Sequence, residues 1–465
     1  MQYMKKTGTE RRNHPKFMKT AGIIAEYNPF HKGHAYQIQY AKGKLGADYV
    51  VVAMSGDYVQ RGTPALVSKY PRAEMALRCG ADLVLEMPVS VSTSSAETFA
   101  MGGISLLDGL GVVDMLCFGS ECGQISALKE LASILIKEPE QYKKLLKTLL
   151  SQGLSFPAAR SQALTEYFKN PRNFSGDDFD GVLTPLLNEV TEILRTPNNI
   201  LGIEYCKALL RLNSTIRPVT IRRKGMGYHD SALISPAQTS AGSCGETEFA
   251  SASAIRKSLL HSTGSLSFPE GTSSVSDSER FGKIAGQIPP EAFPVLEKVL
   301  LKQRILTEDA FDSILGYRIL KENVQELTSY LDMSESLAQR IVNQRNIFEG
   351  FSQFAALLKT RDITQTRIQR ALLHLILDIH QVPSVVSYAR VLGFRKESGA
   401  LLKSIKEHSS IPVITRLADA KKSLHPQAFS LLSETTFASN LYESLLSQKS
   451  RTPFIHEYQQ KIVIV

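Results

Sequence analysis

Two histidines bracket a lysine and a glycine in His31-Lys32-Gly33-His34, directly after an apolar run that stops at Asn28-Pro29. Asn-Pro is a turn dipeptide. From His31 onward, HKGHAYQIQYAKG carries apolar and aromatic positions at helical spacing. Residues three apart share a helix face, so both imidazoles can point the same way. The free N–H groups and positive dipole end of such a helix favour an anion. Gly33 lets a phosphate come near the backbone. Two donors over a phosphate suit chemistry that builds negative charge on a triphosphate. Half a metal site is the competing reading, but no Cys/His cluster follows at zinc-ligand spacing, so no protein metal site is expected.

Other candidates lie further along. Ser253-Ala254-Ile255-Arg256 reads as a helix start. Its hydroxyls and N–H groups could hold phosphates, with Arg256 offering a planar pair of donors; a plain N-cap with a surface arginine looks the same. Gly119 follows a strand and could admit adenine or ribose against bare backbone. Asn199 could bond a base or phosphate through its amide. Arg222 and Arg223 end a strand. In the loop Ser55 to Gly62, Gln60 and Arg61, with Lys69 beyond, are candidates for a small-acid pocket or for RNA. Glu26 could orient a histidine or hold metal-bound water.

These residues need a frame. Residues 21–25, 49–54, 82–86, 113–118 and 215–223 are short apolar runs bounded by turn residues, with helical stretches such as Tyr70 to Arg78 between them. Strands buried on both faces read this way in a parallel sheet. Ligands then sit outside the carboxyl ends of the strands. Tyr27, Ser55-Gly56, Pro88 and Gly119-Ser120 all fall near strand ends, so the motifs converge on one crevice. The expected fold is a doubly wound α/β domain over residues 20–260, with a helical insertion at about 124–168. A Ser/Gly/Pro-rich linker or loop follows at 261–290. A mainly helical region over 291–465 completes the chain, with an apolar helix through Leu372 to Leu377 and Val385-Val386 interrupted at Pro383, and late strand-like pieces at 411–414 and 462–465. Residues 1–19 read as a basic arm without the apolar segment of a secretory signal.

The chain has 465 residues, 43% hydrophobic and 21% charged, with a formal net charge of +9. That excess suits a polyanionic partner. Five scattered cysteines form no disulfide framework, which points to a reducing cytoplasm. No apolar run is long enough to span a bilayer.

The strand–turn–HxGH order resembles the nucleotidyltransferase superfamily, and Ser253 to Arg256 resembles its second signature. A longer ordered set is more specific. It comprises Ala25-Glu26-Tyr27-Asn28-Pro29-Phe30-His31, Met54 to Gly62, Phe118-Gly119-Ser120-Glu121, Asn198 to Tyr205, Gly225 to Asp230 and Ala252 to Arg256. This set is similar to the bacterial tRNA(Met) cytidine acetate ligase family from Thr20 onward. The resemblance implies a ligase that activates acetate with ATP, Mg²⁺ accompanying the nucleotide, and then acetylates N4 of the wobble cytidine of elongator tRNA(Met). It implies an ATP site made of Ile24, Ala25, Glu26, Tyr27, Asn28, Pro29, Phe30, His31, Lys32, Gly33, His34, Ala35, Tyr36 and Gln37. Gly119, Asn199, Ser253 and one of Arg222 and Arg223 complete it, with Arg223 favoured. His31 and His34 would meet the α- and β-phosphates, and Arg256 would assist. No protein partner is implied.

For RNA, Arg361, Arg367 and Arg370 form a basic stripe that could track phosphates. Phe351, Phe354 and Phe394 could stack bases. A cofactor-biosynthetic adenylyltransferase, or a non-catalytic RNA-binding protein with a relic nucleotide fold, are the alternatives. The long basic C-terminal half argues against the first, and intact His31, His34 and Arg256 against the second.

Overall fold

The computed structural model describes residues 18–154, 156–170, 190–223, 249–263 and 284–465. Its centre is one sheet in the order β10-β8-β5-β2-β1-β6-β7, with β9 on β8. The four central strands are β1 (Thr20–Ala25), β2 (Tyr49–Ser55), β5 (Leu83–Met87) and β6 (Met115–Ser120). β7 (Arg217–Arg222) flanks β6. These five run parallel. Between β2 and β5, β3 (Tyr58–Val59) and β4 (Thr63–Pro64) form a separate small hairpin.

Alternation along β2 explains why both faces are covered. Val50, Val52 and Met54 pack with Ile38 of α1 (Lys32–Gly43) and Met75 of α2 (Lys69–Arg78). Val51 and Ala53 pack on the other face with Phe99 and Ile104 of α3 (Ala96–Gly109). A strand buried on both sides must be apolar at every position, which is the pattern of YVVVAM. The chain steps from β1 to β2 and β5 on one side, then returns to place β6 on the other side of β1. Reversals of this kind open a crevice at the carboxyl ends of the strands. Helices fill 125–137, 140–151 and 156–169 before α4 (Pro197–Arg211) returns the chain to β7. α5 (Ala252–Thr263) follows.

The C-terminal half does more than add helices. β8 (Ala389–Phe394) lies antiparallel against β5, pairing Leu83 with Phe394. β9 (Val413–Ile414) and β10 (Val463–Ile464) then pair with β8. The two late strand-like pieces therefore join the same sheet. β8 itself is not apparent in the sequence, where the apolar pattern before it reads as helix. That helix, α6 (Gln365–Leu377), ends earlier than Pro383, at Asp378 with φ +60°. α7 (Gly399–His408) and the long α8 (Pro426–Ser450) follow. A third core around Phe311, Leu337, Phe354 and Leu372 takes in Tyr58 of the hairpin. Phe351 and Phe354 are core residues here, 1% and 0% exposed, so they do not stack bases. No described helix is long and apolar enough to cross a membrane. Among the described residues Cys79, Cys117, Cys122 and Cys206 are free thiols. Most of 261–290, and the Gly225 to Asp230 motif, lie outside the described residues.

Candidate active site

β1 ends at Ala25, and Tyr27 turns the chain with φ +51° before the Asn28-Pro29 peptide, which is cis. His31 is the N-cap of α1. Its Nδ1 accepts the Gly33 N–H at 3.0 Å, and His34 Nδ1 accepts the His31 N–H at 3.3 Å. The rings stack with centroids 3.8 Å apart. This reciprocal cap fixes chemistry as well as structure. A ring nitrogen that accepts carries no proton, so in each neutral imidazole the proton is on Nε2.

Both histidines are held neutral. Burial, then Arg223 and Arg256, push His31 down from 6.5 to about 3. Burial, then His31 and Arg223, push His34 well below its usual value. The pair thus offers two neutral N–H donors. Gly33 is required by space: a Cβ there would stand 2.8 Å from His31 Cε1.

The histidines open into a cavity of about 480 Å³ at the strand ends. Its charged lining is Glu26, Arg61, Arg222, Arg223, Arg256 and Arg370, a strong excess of positive charge. Gly119 lies at the wall beneath the Arg223 stem, 3.3 Å from where a Cβ would be. Arg223 bears electrostatically on both histidines. Arg222 instead packs against Gly123, so of the adjacent pair Arg223 is the one turned toward the imidazoles. Arg256 donates through Nη1 to the Asn28 carbonyl at 2.6 Å and through Nη2 to Ser253 Oγ at 3.1 Å. α5 is thereby tied to the histidine turn.

Several expected contacts differ. Within Ile24 to Gln37, the side chains of Phe30 and Ala35 are buried, at 0% and 6%. With Pro29 and Lys32 they support the turn rather than line the cavity. Asn199 is 2% exposed, and its carboxamide is already engaged. Oδ1 accepts from Cys122 N at 3.1 Å, and Nδ2 donates to Thr196 Oγ1 at 2.6 Å. It locks α4 to the loop after β6, while Asn198 and Ile200 beside it reach the cavity. Ser253 serves Arg256 rather than the lining.

Lys69 is buried, not presented to a ligand. Its Nζ meets Glu86 at 2.7 Å, Glu457 at 2.6 Å and Asp57 at 3.6 Å. Glu26 orients no imidazole; its Oε1 accepts the Gln60 N–H at 2.8 Å. Arg370 pairs with Asp332 at 2.7 Å, and Arg367 reaches the Asp332 carbonyl at 3.4 Å, whereas Arg361 is exposed. Thr366 and Arg370 bring α6 to the cavity, so part of the expected RNA stripe walls the candidate nucleotide site.

Asp57 and Arg72 were not legible as site-building residues. Arg72 is fully buried and donates to the carbonyls of Val67 at 2.7 Å, Glu26 at 2.5 Å, Ser55 at 3.1 Å and Gly56. It ties the ends of β1 and β2 together beneath the cavity. Nothing in PRAEMALR distinguishes such an arginine from a surface one. Among the described residues no group of three His, Cys, Asp or Glu side chains is arranged to hold a metal.

Comparison with known proteins agrees with this geometry. The family described as HIGH Nucleotidyl Transferase matches residues 18–455. The tRNA(Met) cytidine acetate ligase of Halothermothrix orenii is 36% identical over 93% of this chain and 96% of its own length. That of Acetivibrio thermocellus is 36% identical over 96% of this chain and 100% of its own. The crystal structure of apo TmcAL from Thermotoga maritima superposes with a TM-score of 0.82 at 28% identity, covering 96% of this chain and all of that one. The form bound with alpha-thio ATP gives 0.78 at 27%, with the same coverage. The chain therefore belongs to the HIGH nucleotidyltransferases and, within them, to the tRNA(Met) cytidine acetate ligase family.

Proposed function

We propose that this protein activates acetate with ATP and transfers the acetyl group to N4 of the wobble cytidine of elongator tRNA(Met). The observation that carries the chemistry is the pair of neutral, Nε2-protonated imidazoles at a helix start, facing an arginine-rich cavity. The relatives' shared name supplies the substrates. A relative in structure binds an ATP analogue.

An acetate oxygen attacks the α-phosphorus, the Pα–O bond to the β-phosphate breaks, and pyrophosphate leaves with that electron pair. No proton moves in this step and no protein nucleophile is needed. The protein must hold two anions together and stabilise charge in flight. His31 and His34 donate Nε2–H bonds to the α- and β-phosphates, and the guanidiniums of Arg223 and Arg256 offset the growing charge. Mg²⁺ would arrive on the phosphates of ATP. In the second step the cytidine N4 attacks the acetyl carbonyl, the C–O bond to AMP breaks, and N4 loses a proton. Arg361, exposed beside α6, is available to the RNA backbone. Such substrates belong to the cytoplasm.

Incubation with ATP, labelled acetate and tRNA(Met) tests the reading. Acetyl-adenylate without RNA, and N4-acetylcytidine with it, are expected. Adenylation of a nucleotide or pantetheine instead would favour the cofactor-biosynthetic alternative.

A further inference from the structure

We propose that Arg61, at the tip of the small hairpin, anchors the carboxylate of the acid that is activated. This rests on the ligase reading above. The hairpin is short but firmly held. β3 and β4 pair Val59 with Thr63, and the Gly62 N–H closes the turn on the Val59 carbonyl at 2.9 Å. Gly62 has φ +75°, and the face where a Cβ would project lies against the α6 backbone at Gln369 and Arg370. At the base, Tyr58 Oη donates to the Ala438 carbonyl of α8 at 3.1 Å. Between them, the Gln60 N–H is fixed by Glu26 Oε1 at 2.8 Å. Three separate elements therefore fix a turn of four residues, and its two tip side chains, Gln60 and Arg61, both line the cavity.

The sheet order assigns the tip its task. The histidine turn follows β1; Arg223 follows β7, on the β6 side of it, and the hairpin that carries Arg61 follows β2, on the other side. A triphosphate held by the histidines and Arg223 leaves Arg61 on the opposite flank of the cavity, beside the first anion. That is where a second anion must sit for one of its oxygens to reach the α-phosphorus. A guanidinium is planar and holds a carboxylate through two parallel N–H···O bonds, leaving a lone pair on oxygen to attack. It also offsets the repulsion between the two anions. The Gln60 carboxamide adds a neutral donor at the same tip.

The test uses the full-length protein and acetate-dependent release of pyrophosphate, with acetyl-adenylate trapped by hydroxylamine. Arg61→Met keeps the stem and removes the charge; Arg61→Lys keeps the charge and removes the fork. Arg61→Met should raise the KM for acetate roughly 10-fold or more, as loss of a charge-assisted bond does. The KM for ATP should stay within about 2-fold, and Arg61→Lys should recover only part of the loss. An equal rise in the KM for ATP would make Arg61 a phosphate ligand. An unchanged KM for acetate with a raised KM for tRNA would make it an RNA contact. Either outcome overturns the assignment. If the wild-type protein forms no acetyl-adenylate at all, the ligase reading fails first, and the two failures are distinguishable.

Discussion

Two charged regions lie close together in this molecule and are built from the same residue types. In the node beneath the hairpin, Lys69 meets Glu86, Glu457 and Asp57. Arg390 meets Glu86 at 2.6 Å and Glu457 at 2.5 Å, and Arg72 lies close by. Three cations face three carboxylates, and all six residues are buried. In the cavity, five arginines share the lining with Glu26 alone among carboxylates. The node is balanced and closed, and needs no further ion. The cavity lining carries a surplus of positive charge even with Arg370 paired to Asp332, and that surplus favours an anionic ligand. Buried charge becomes structure when its partners are all in the chain, and becomes a site when they are not.

The comparison can be broken at either end, and the largest effect belongs to the node. Lys69→Met should cost about 3–5 kcal/mol of stability, because it leaves three buried carboxylates with one cation too few. Urea unfolding followed by circular dichroism measures it, and a change below about 1 kcal/mol would show that the node is not a closed unit. In the cavity the loss should fall on rate instead. His31→Ala with His34→Ala should slow acetyl-adenylate formation by roughly 10²-fold or more, as removal of preorganised donors does. A wild-type rate in the double variant would remove the histidines from the chemistry.

Gly33→Ala should have a smaller effect of the same kind, roughly 10-fold on rate, because its methyl displaces the His31 ring while leaving both donors present. Measured with saturating ATP, it separates position from presence. Acid sharpens the contrast further. His31 titrates at about 3 when folded and near 6.5 when unfolded, so the unfolded chain binds more protons between these values. Stability contributed by the neutral histidine is therefore lost as pH falls from 6.5 toward 3. In the node, burial raises the Glu457 pKa, but Lys69 and Arg390 overcome it and hold the group at about 2. Its contribution is present above 4.5 and is lost only below that. Unfolding by urea at a series of pH values should show the double histidine variant flatter than wild type from pH 6.5 down to about 3, with a further fall from Glu457 common to both below 4.5. The smallest effect is expected at the rim. Arg361→Ala should flatten the salt dependence of tRNA binding by about one unit at most, with acetyl-adenylate formation unaltered.

The strands, the histidine turn and the convergence at strand ends were readable because they depend on local signals: apolar runs of strand length, a turn dipeptide, helical spacing. What was not readable depends on who faces whom. Lys69 and Arg61 are both basic residues near one loop, and only the arrival of Glu86 and Glu457 from other elements draws Lys69 into the buried node. Asn199 looks like a ligand amide until Cys122 and Thr196 are seen to occupy it. Arg370 looks like a surface cation until Asp332 meets it. β8 is hidden for a different reason: ARVLGF follows a long helical pattern, and its partner strand lies far back in the chain.

That last pairing has a consequence for how the protein comes into being. Residues Leu83 and Phe394 are neighbours across β5 and β8. A ribosome adds about 5–20 residues each second, so a gap of about 300 residues leaves β5 waiting for tens of seconds. Throughout that interval its edge is an open template for the wrong strand. Completion of the central sheet is thus a late event in synthesis, and a nascent chain halted before β8 emerges should be a strong client for holdase chaperones.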